Sequence, residues 1–116
     1  GKTLITLEQN PENTNAFKIG TRNCRGFSAY LCHNAMFVKR FACFEGVNYP
    51  DDGCNFEMYT NQHFLELESL GPLASVSPGD TISQSEYWSI TPGVNRPAKN
   101  DFAALEKIVA ELVEND

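Results

Sequence analysis

In this 116-residue chain, the acidic side chains that could do chemistry lie in two runs of alternating residues. Residues 54–60, CNFEMYT, and 63–69, HFLELES, alternate between polar and apolar side chains. Successive side chains of a strand point to opposite faces, so Glu66 and Glu68 share one face and the leucines share the other. Carboxylates held close together can bind a cation, a basic side chain, a shared proton or a sugar hydroxyl. A water-exposed face that only screens the charges is the alternative.

The two runs predict a β-hairpin with a two-residue turn at Asn61-Gln62. In that register Glu57 lies opposite Glu66, and Tyr59 lies opposite Phe64. Like charges that face each other about 5 Å apart cost stability, so something should offset the pair. The apolar face comprises Phe56, Met58, Leu65 and Leu67. The polar face comprises Asn55, Glu57, Glu66 and Glu68, with Tyr59 and Phe64 at its end.

Charge and hydropathy exclude several classes of partner. A formal charge of −6 and a pI near 4.8 argue against nucleic acid and anionic membranes as partners. No apolar run approaches the ~20 residues of a membrane helix, and residues 1–10 lack a signal-peptide core. We therefore expect a soluble chain, although a signal could have been removed upstream. The compartment, cytoplasmic or periplasmic, is left open.

The four cysteines do not form a zinc motif. They stand at positions 24, 32, 43 and 54, with no C-x-x-C pair. Cys32, His33 and His63 are better explained as buried thiols and hydrogen-bonded histidines than as metal ligands. We predict no metal and no cofactor. The sequence is compatible both with free cysteines and with disulfides.

The elements that must position these side chains are short strands. About seven are predicted, within residues 2–7, 16–21, 29–31, 36–41, 54–60, 63–69 and 81–90. A turn at His33-Asn34, a loop at 45–53, a break at Gly71-Pro72 and a turn at 77–80 separate them. Residues 91–100 read as a polar linker. The pattern predicts a mainly β protein, an antiparallel β-sandwich with one C-terminal α-helix.

The helix is predicted over residues 101–114. Asn100 or Asp101 can cap it, and its apolar residues recur every three or four positions. The stripe consists of Phe102, Leu105, Ile108, Val109, Leu112 and Val113. It can dock on the chain's own sheet or form a contact between chains.

Several strings of this sequence resemble one known family. FLELESLGPL, SPGD and EYWSI, with 37-FVKRF-41 and 49-YPDDGCNFEMYTN-61, are similar to the C-terminal part of galactose-mutarotase-like β-sandwich proteins, in particular a functionally unassigned bacterial branch. The resemblance covers residues 3–90. It implies that residues 1–90 are the C-terminal part of a larger two-sheet fold, a partial supersandwich. The chain would then complete its sheets by homo-oligomerising or by associating with a missing N-terminal part.

The resemblance also implies residue roles. Glu68 matches the family's catalytic base position, and Pro78-Gly79-Asp80 matches the family's Pro-Gly-Glu turn. Ser69 departs from the family's proline, and neither histidine matches the family's catalytic histidines, which precede the part matched here. Asn55 would then lie across from Glu68, while Glu57 and Glu66 would bind sugar hydroxyls. Tyr59 and Phe64 would serve as stacking platforms, and Lys39 or Arg40 would supply compensating charge.

Three functions are consistent with these residues. The first is a carbohydrate-active enzyme, an isomerase of the aldose 1-epimerase type, if a longer protein supplies the acid that protonates the ring oxygen. The second is a non-catalytic carbohydrate-binding module that uses the same face. The third is a structural accessory domain whose acidic face is solvated or holds Ca²⁺. The missing acid favours binding over turnover for this chain alone.

Overall fold

The structure, a computed structural model, describes residues 3–114. It is mainly β, with six antiparallel strands in two sheets and one C-terminal helix, which confirms the predicted fold class. The strands are β1 (Phe17–Thr21), β2 (Phe27–Cys32), β3 (Ala35–Phe41), β4 (Phe56–Thr60), β5 (Leu65–Ser69) and β6 (Glu86–Pro92). The helix runs over Phe102–Val109 and continues as a π-helical turn, Ala110–Glu114. No helix within residues 3–114 is long and apolar enough to cross a membrane.

The first sheet has the strand order β1-β4-β5, with β4 in the middle. β1 pairs with β4 so that Lys18 lies opposite Tyr59 and Gly20 lies opposite Glu57. Side chains that face each other across strands share a face, so β1 adds a lysine and a glycine to the face that carries the glutamates. The second sheet has the order β2-β3-β6.

The turn between β2 and β3 is the predicted one. His33 and Asn34 both have positive φ, 51° and 58°, the backbone that a two-residue hairpin of the favoured hand requires. The Asn34 carbonyl accepts hydrogen bonds from the backbone N–H groups of Gly93 and Val94, which follow β6. The turn therefore also anchors the end of β6.

One predicted strand is wrong, and another begins five residues later than predicted. Residues 3–7 are irregular, and Lys2 lies outside the described residues; residues 81–85 are also irregular, so the last strand begins at Glu86. The apolar residues of both segments favour strands locally, but within residues 3–114 neither segment pairs with another strand. A strand needs a partner for its backbone N–H and C=O groups, and local propensity does not supply one.

The chain divides into two compact units. The larger unit consists of Leu7–Ser28 and Lys39–Tyr87. In it the end of β3 covers the apolar face of the first sheet, because the Phe41 ring stacks on Phe56 with centroids 4.9 Å apart. This two-layer arrangement is sandwich-like. A disulfide between Cys24 and Cys43 closes the loop before β2 onto the segment after β3.

The smaller unit contains Ala29–Val38 and the chain from Trp88 onward. Its buried apolar side chains are Met36, Val38, Val109 and Val113. The helix that carries two of them begins as predicted, because the Asp101 side chain accepts a hydrogen bond from the backbone N–H of Ala104.

Candidate functional site

Three strands of the larger unit bring the predicted acidic residues onto one face. The register places Lys18, Tyr59 and Glu66 in one row across β1, β4 and β5, and Gly20, Glu57 and Glu68 in the next row. We call this surface the acidic face and define it by Lys18, Glu57, Tyr59, Glu66 and Glu68, with Asp51 and Phe64 at its margins. Its residues all come from the larger unit.

The predicted register of the β4–β5 hairpin is wrong by two residues. Glu57 lies opposite Glu68 rather than Glu66, and Tyr59 lies opposite Glu66 rather than Phe64. The connection is a four-residue loop, 61–64, instead of a two-residue turn. Asn61 builds it, since its Oδ1 accepts from the backbone N–H groups of His63 and Phe64 at 2.8 and 3.1 Å. An even shift keeps every side chain on its face, so the predicted composition of both faces survives.

Lys18 is the group that offsets the opposed glutamates. Its Nζ lies 3.0 Å from Glu57 Oε2 and 3.2 Å from Glu68 Oε2. Hydrogen bonds to these two carboxylates raise the pKa of Lys18 above its ordinary value, with Glu57 contributing most. Lys39 or Arg40 was predicted to supply this charge, and that prediction is wrong. Lys18 could not be predicted, because the pairing of β1 with β4 is a long-range contact that alternation does not reveal.

Two carboxyl–carboxyl hydrogen bonds lie on the acidic face, one between Glu57 and Asp51 and one between Glu66 and Glu68. The side chain of Glu57 is only 4% exposed. A hydrogen bond to Asp51 raises the pKa of Glu57, and desolvation adds to this while Lys18 opposes it. A hydrogen bond to Glu68 likewise raises the pKa of the exposed Glu66. Two carboxylates that meet in this way favour one shared proton, so the acidic face can both accept and donate hydrogen bonds.

Asp51 reaches Glu57 from a turn at the end of the predicted loop 45–53, where its residue types favour a chain reversal. In the turn Pro50–Gly53, Asp51 and Asp52 adopt left-handed backbone conformations, with φ of 51° and 60°. Aspartate tolerates this region better than most residues. Left-handed φ at two consecutive residues reverses the chain, and the turn carries Asp51 to the edge of the acidic face.

Asn55 does not take its predicted place across from Glu68. It precedes β4 and is fully buried, and its side-chain amide hydrogen-bonds to the loops around it. Its Oδ1 accepts from the backbone N–H of Asn23 at 2.6 Å, and its Nδ2 donates to the carbonyls of Asn23 and Ala42 at 3.0 and 3.1 Å. These bonds give Asn55 a structural role.

Lys39 lies in a separate polar network. Its buried ammonium donates to the carbonyl of Leu67 at 2.8 Å and pairs with Glu86 at 3.3 Å. Glu86 also accepts a short hydrogen bond from Ser69, whose Oγ in turn accepts from the Gln84 side chain. Lys39 is therefore committed to joining β5 to the start of β6. Arg40, its neighbour, lines a cleft described below.

The two predicted stacking residues do meet. The rings of Tyr59 and Phe64 lie 5.8 Å apart at an angle of 39°, and Phe64 is 45% exposed. They form an aromatic margin beside Glu66, which faces Tyr59 across the strands. An exposed ring next to carboxylates suits a ligand that has both an apolar face and hydroxyl groups.

The described residues offer no metal centre, since no group of three or more His, Cys, Asp or Glu within residues 3–114 could hold a metal ion. Two of the four cysteines form the disulfide, and Cys32 and Cys54 are free thiols. Burial, and then the charges of Glu57 and Asp51, raise the pKa of Cys54. A raised pKa disfavours the thiolate, so Cys54 is poorly suited to act as a nucleophile beside the acidic face.

Comparisons with protein-family models, with curated proteins and with solved structures find no match to this chain. Function is therefore inferred from the acidic face itself.

Proposed function

We propose that this chain binds a neutral carbohydrate on the acidic face. The observation that carries the proposal is the ring pair of exposed Phe64 and half-buried Tyr59, beside Glu66, Glu68 and Lys18. A sugar presents C–H groups on one side of its ring and hydroxyls around its edge. The rings suit the C–H side, and the carboxylates and the ammonium suit the hydroxyls. The resemblance to mutarotase-like proteins supports the same ligand class.

The charge state of the acidic face favours neutral sugars over acidic ones. Four carboxyl groups, those of Asp51, Glu57, Glu66 and Glu68, surround one ammonium group. Even with a shared proton in each carboxyl pair the face keeps a negative charge, which repels an anionic ligand. Lys18 Nζ also occupies the position between Glu57 and Glu68 that Ca²⁺ would take, so a solvated or Ca²⁺-binding face is the weaker alternative.

Catalysis requires one further group. In a mutarotase-like reaction Glu68 would take the proton from the anomeric hydroxyl while an acid protonates the ring oxygen. His63 lies on the loop beside Phe64, where its ring bonds to the Gln62 side chain at 3.1 Å. The proton that Glu66 and Glu68 share does not supply this acid, because Glu68 must be free of it to act as the base. We therefore propose that this chain binds the sugar. If a longer protein adds an acid, the same site would act as an isomerase.

Calorimetric titration with neutral aldoses tests the proposal. We expect at least one aldose to bind with a Kd of about 1 mM. Glu68→Gln or Phe64→Ser should raise this Kd about fivefold or more. Glu45→Gln and Phe44→Ser are matched controls, because both residues are exposed in the same unit outside the acidic face. Polarimetry on the same samples measures mutarotation. The proposal fails if no aldose binds, or if both face variants keep the wild-type Kd.

Self-association is the second part of the proposal. Trp88 and Ile90 on β6 are 67% and 72% exposed, and β6 is an edge strand of its sheet. Exposed apolar edges are common routes to pairing between chains. Sedimentation velocity at high micromolar concentration should show a dimer or a larger species, and a clean monomer would contradict self-association.

A further inference from the structure

The larger unit contains a cleft that has no part in the acidic face. Its volume is about 460 Å³. The floor is formed by residues that pack tightly: Phe41 stacks on Phe56, and Tyr49 is only 5% exposed. The complete lining is Arg40, Phe41, Ala42, Phe44, Tyr49, Leu70, Gly71, Pro72, Ser83, Gln84, Ser85 and Tyr87.

Hydrogen bonds hold the walls of the cleft in place. The hydroxyl of Tyr49 accepts from the backbone N–H of Phe44 at 2.8 Å, and Arg22 donates to the Phe44 carbonyl at 3.1 Å. The N–H of Leu73 donates to the Asn48 carbonyl at 2.7 Å and ties the segment after β5 to the loop that carries Phe44. These bonds fix the loops that form the walls of the cleft.

The lining combines two exposed aromatic residues with a polar rim. Phe44 is 54% exposed and Tyr87 is 71% exposed. The other rim residues include Ser83, Gln84 and Ser85, which offer hydroxyl and amide groups. Aromatic residues that face polar groups across a small cleft match a ring with an apolar side and several hydroxyls. A simple aromatic acid has only one polar end and would leave most of this rim without partners.

The charge of the lining is opposite to that of the acidic face. Among the described residues that line the cleft, Arg40 carries the only charge, in a chain with a formal charge of −6. A guanidinium has five N–H donors, so Arg40 can bind a carboxylate or phosphate in addition to any bond that it makes within the protein. The absence of a lining carboxylate removes the repulsion that an anion meets at the acidic face.

We propose that this cleft binds an anionic monosaccharide, with Arg40 on its carboxylate or phosphate group and Phe44 and Tyr87 beside its ring. The chain then has two sites of opposite preference, an acidic face for neutral sugars and a cleft for charged ones. The proposal rests on the lining of the cleft and stands whether or not the acidic face binds sugar.

Calorimetric titration of the full chain with four probes tests this site: glucuronate, glucose 6-phosphate, glucose and benzoate. We expect glucuronate, glucose 6-phosphate or both to bind with a Kd near about 1 mM, and glucose and benzoate to bind this cleft at least about tenfold more weakly. Binding of only one of the two anionic sugars identifies the source of the charge, and binding of both shows that the cleft accepts either anionic group.

Variants locate the binding. Arg40→Gln should weaken the anionic sugar about tenfold or more, and Tyr87→Ser about fivefold. Arg25→Gln and Phe17→Ser are matched controls. Arg25 also lies by an aromatic ring, 5.1 Å from that of Phe27, and Phe17 is an exposed aromatic residue outside the acidic face. Neither residue lines the cleft. Amide NMR spectra of each variant confirm that it is folded.

Three results would overturn the proposal. The first is no binding of either anionic sugar at about 10 mM, tenfold above the expected Kd. The second is that benzoate or glucose binds the cleft as tightly as the anionic sugar that binds there. The third is an unchanged Kd in folded Arg40→Gln and Tyr87→Ser. Loss of anionic-sugar binding in Glu68→Gln would place the ligand on the acidic face instead, whereas loss of neutral-sugar binding in that variant bears only on the proposed function.

Discussion

Replacing Asn55 by alanine should destabilise the protein strongly without acting through a ligand. The substitution removes three hydrogen bonds, to the N–H and carbonyl of Asn23 and to the carbonyl of Ala42. At about 1 kcal/mol for each bond, the expected loss of unfolding free energy is about 3 kcal/mol. Ala42 is exposed, so water can replace its lost partner, and this keeps the cost from rising much further. For a chain of this length, about 3 kcal/mol lowers the Tm by about 12 °C.

Asn55→Asp sharpens the same prediction. Aspartate keeps an acceptor for the Asn23 N–H but places a second oxygen against two carbonyls, so it should cost at least as much as alanine at neutral pH. Urea unfolding followed by circular dichroism measures both losses, and Asn95→Ala, at an exposed position, should stay within about 0.5 kcal/mol of wild type. If Asn55→Ala keeps wild-type stability and loses only sugar binding, the structural role of Asn55 is refuted.

Three further perturbations follow from the first sheet and its surroundings. The hydrogen bond to Asp51 raises the folded-state pKa of Glu57, so wild-type stability should fall as pH rises from about 4.3 through that pKa, and Glu57→Gln should flatten this slope in urea unfolding. Gly20→Ala should cost about 1–3 kcal/mol in thermal unfolding, because its Cβ would lie 2.6 Å from Cys54 Sγ, and Cys54→Ala should restore much of the loss. Lys39→Met should cost about 2 kcal/mol in the same assay, because Lys39 is buried and hydrogen-bonded.

Each of these has a matched comparison. Glu45→Gln, at an exposed carboxylate, should leave the pH slope unchanged. An unaltered slope in Glu57→Gln would show that Glu57 does not retain the proton. At Gly46 an added Cβ would contact nothing, so the loss of stability in Gly46→Ala reflects only the positive φ of that residue. If Gly20→Ala lowers stability equally with and without Cys54→Ala, the steric explanation is contradicted. Lys99→Met, at an exposed lysine, should leave the thermal stability almost unchanged. An equally small change in Lys39→Met would contradict the role of the buried Lys39 ammonium.

Alternation of polar and apolar residues was sufficient to predict which side chains share a face. The glutamates, Tyr59 and Phe64 lie together as expected, and the turn at His33-Asn34 forms where its residue types favour it. Alternation has a period of two and cannot count loop residues, so it could not detect that Asn61 holds a four-residue loop and shifts the register.

The missed residues depend on contacts between segments distant in the sequence. Lys18 reaches the glutamates only because β1 pairs with β4, about forty residues later, and nothing in FKIGT selects that partner. Asp51 reaches Glu57 through left-handed backbone at a turn, which a loop-forming composition permits but does not specify. Lys39 was expected on the acidic face, yet it is bound instead by the partly buried carboxylate of Glu86.

Carboxyl NMR of the labelled chain during titration with a neutral aldose tests the central claim most directly. If the acidic face binds the sugar, the side-chain carboxyl signals of Glu66 and Glu68 should shift in a saturable way, together with the ring signals of Phe64. The signal of Glu45, which lies outside the face, should not move. A sugar that shifts cleft residues such as Tyr87 while the Glu66 and Glu68 signals stay fixed would contradict the claim, as would saturable binding with no carboxyl response.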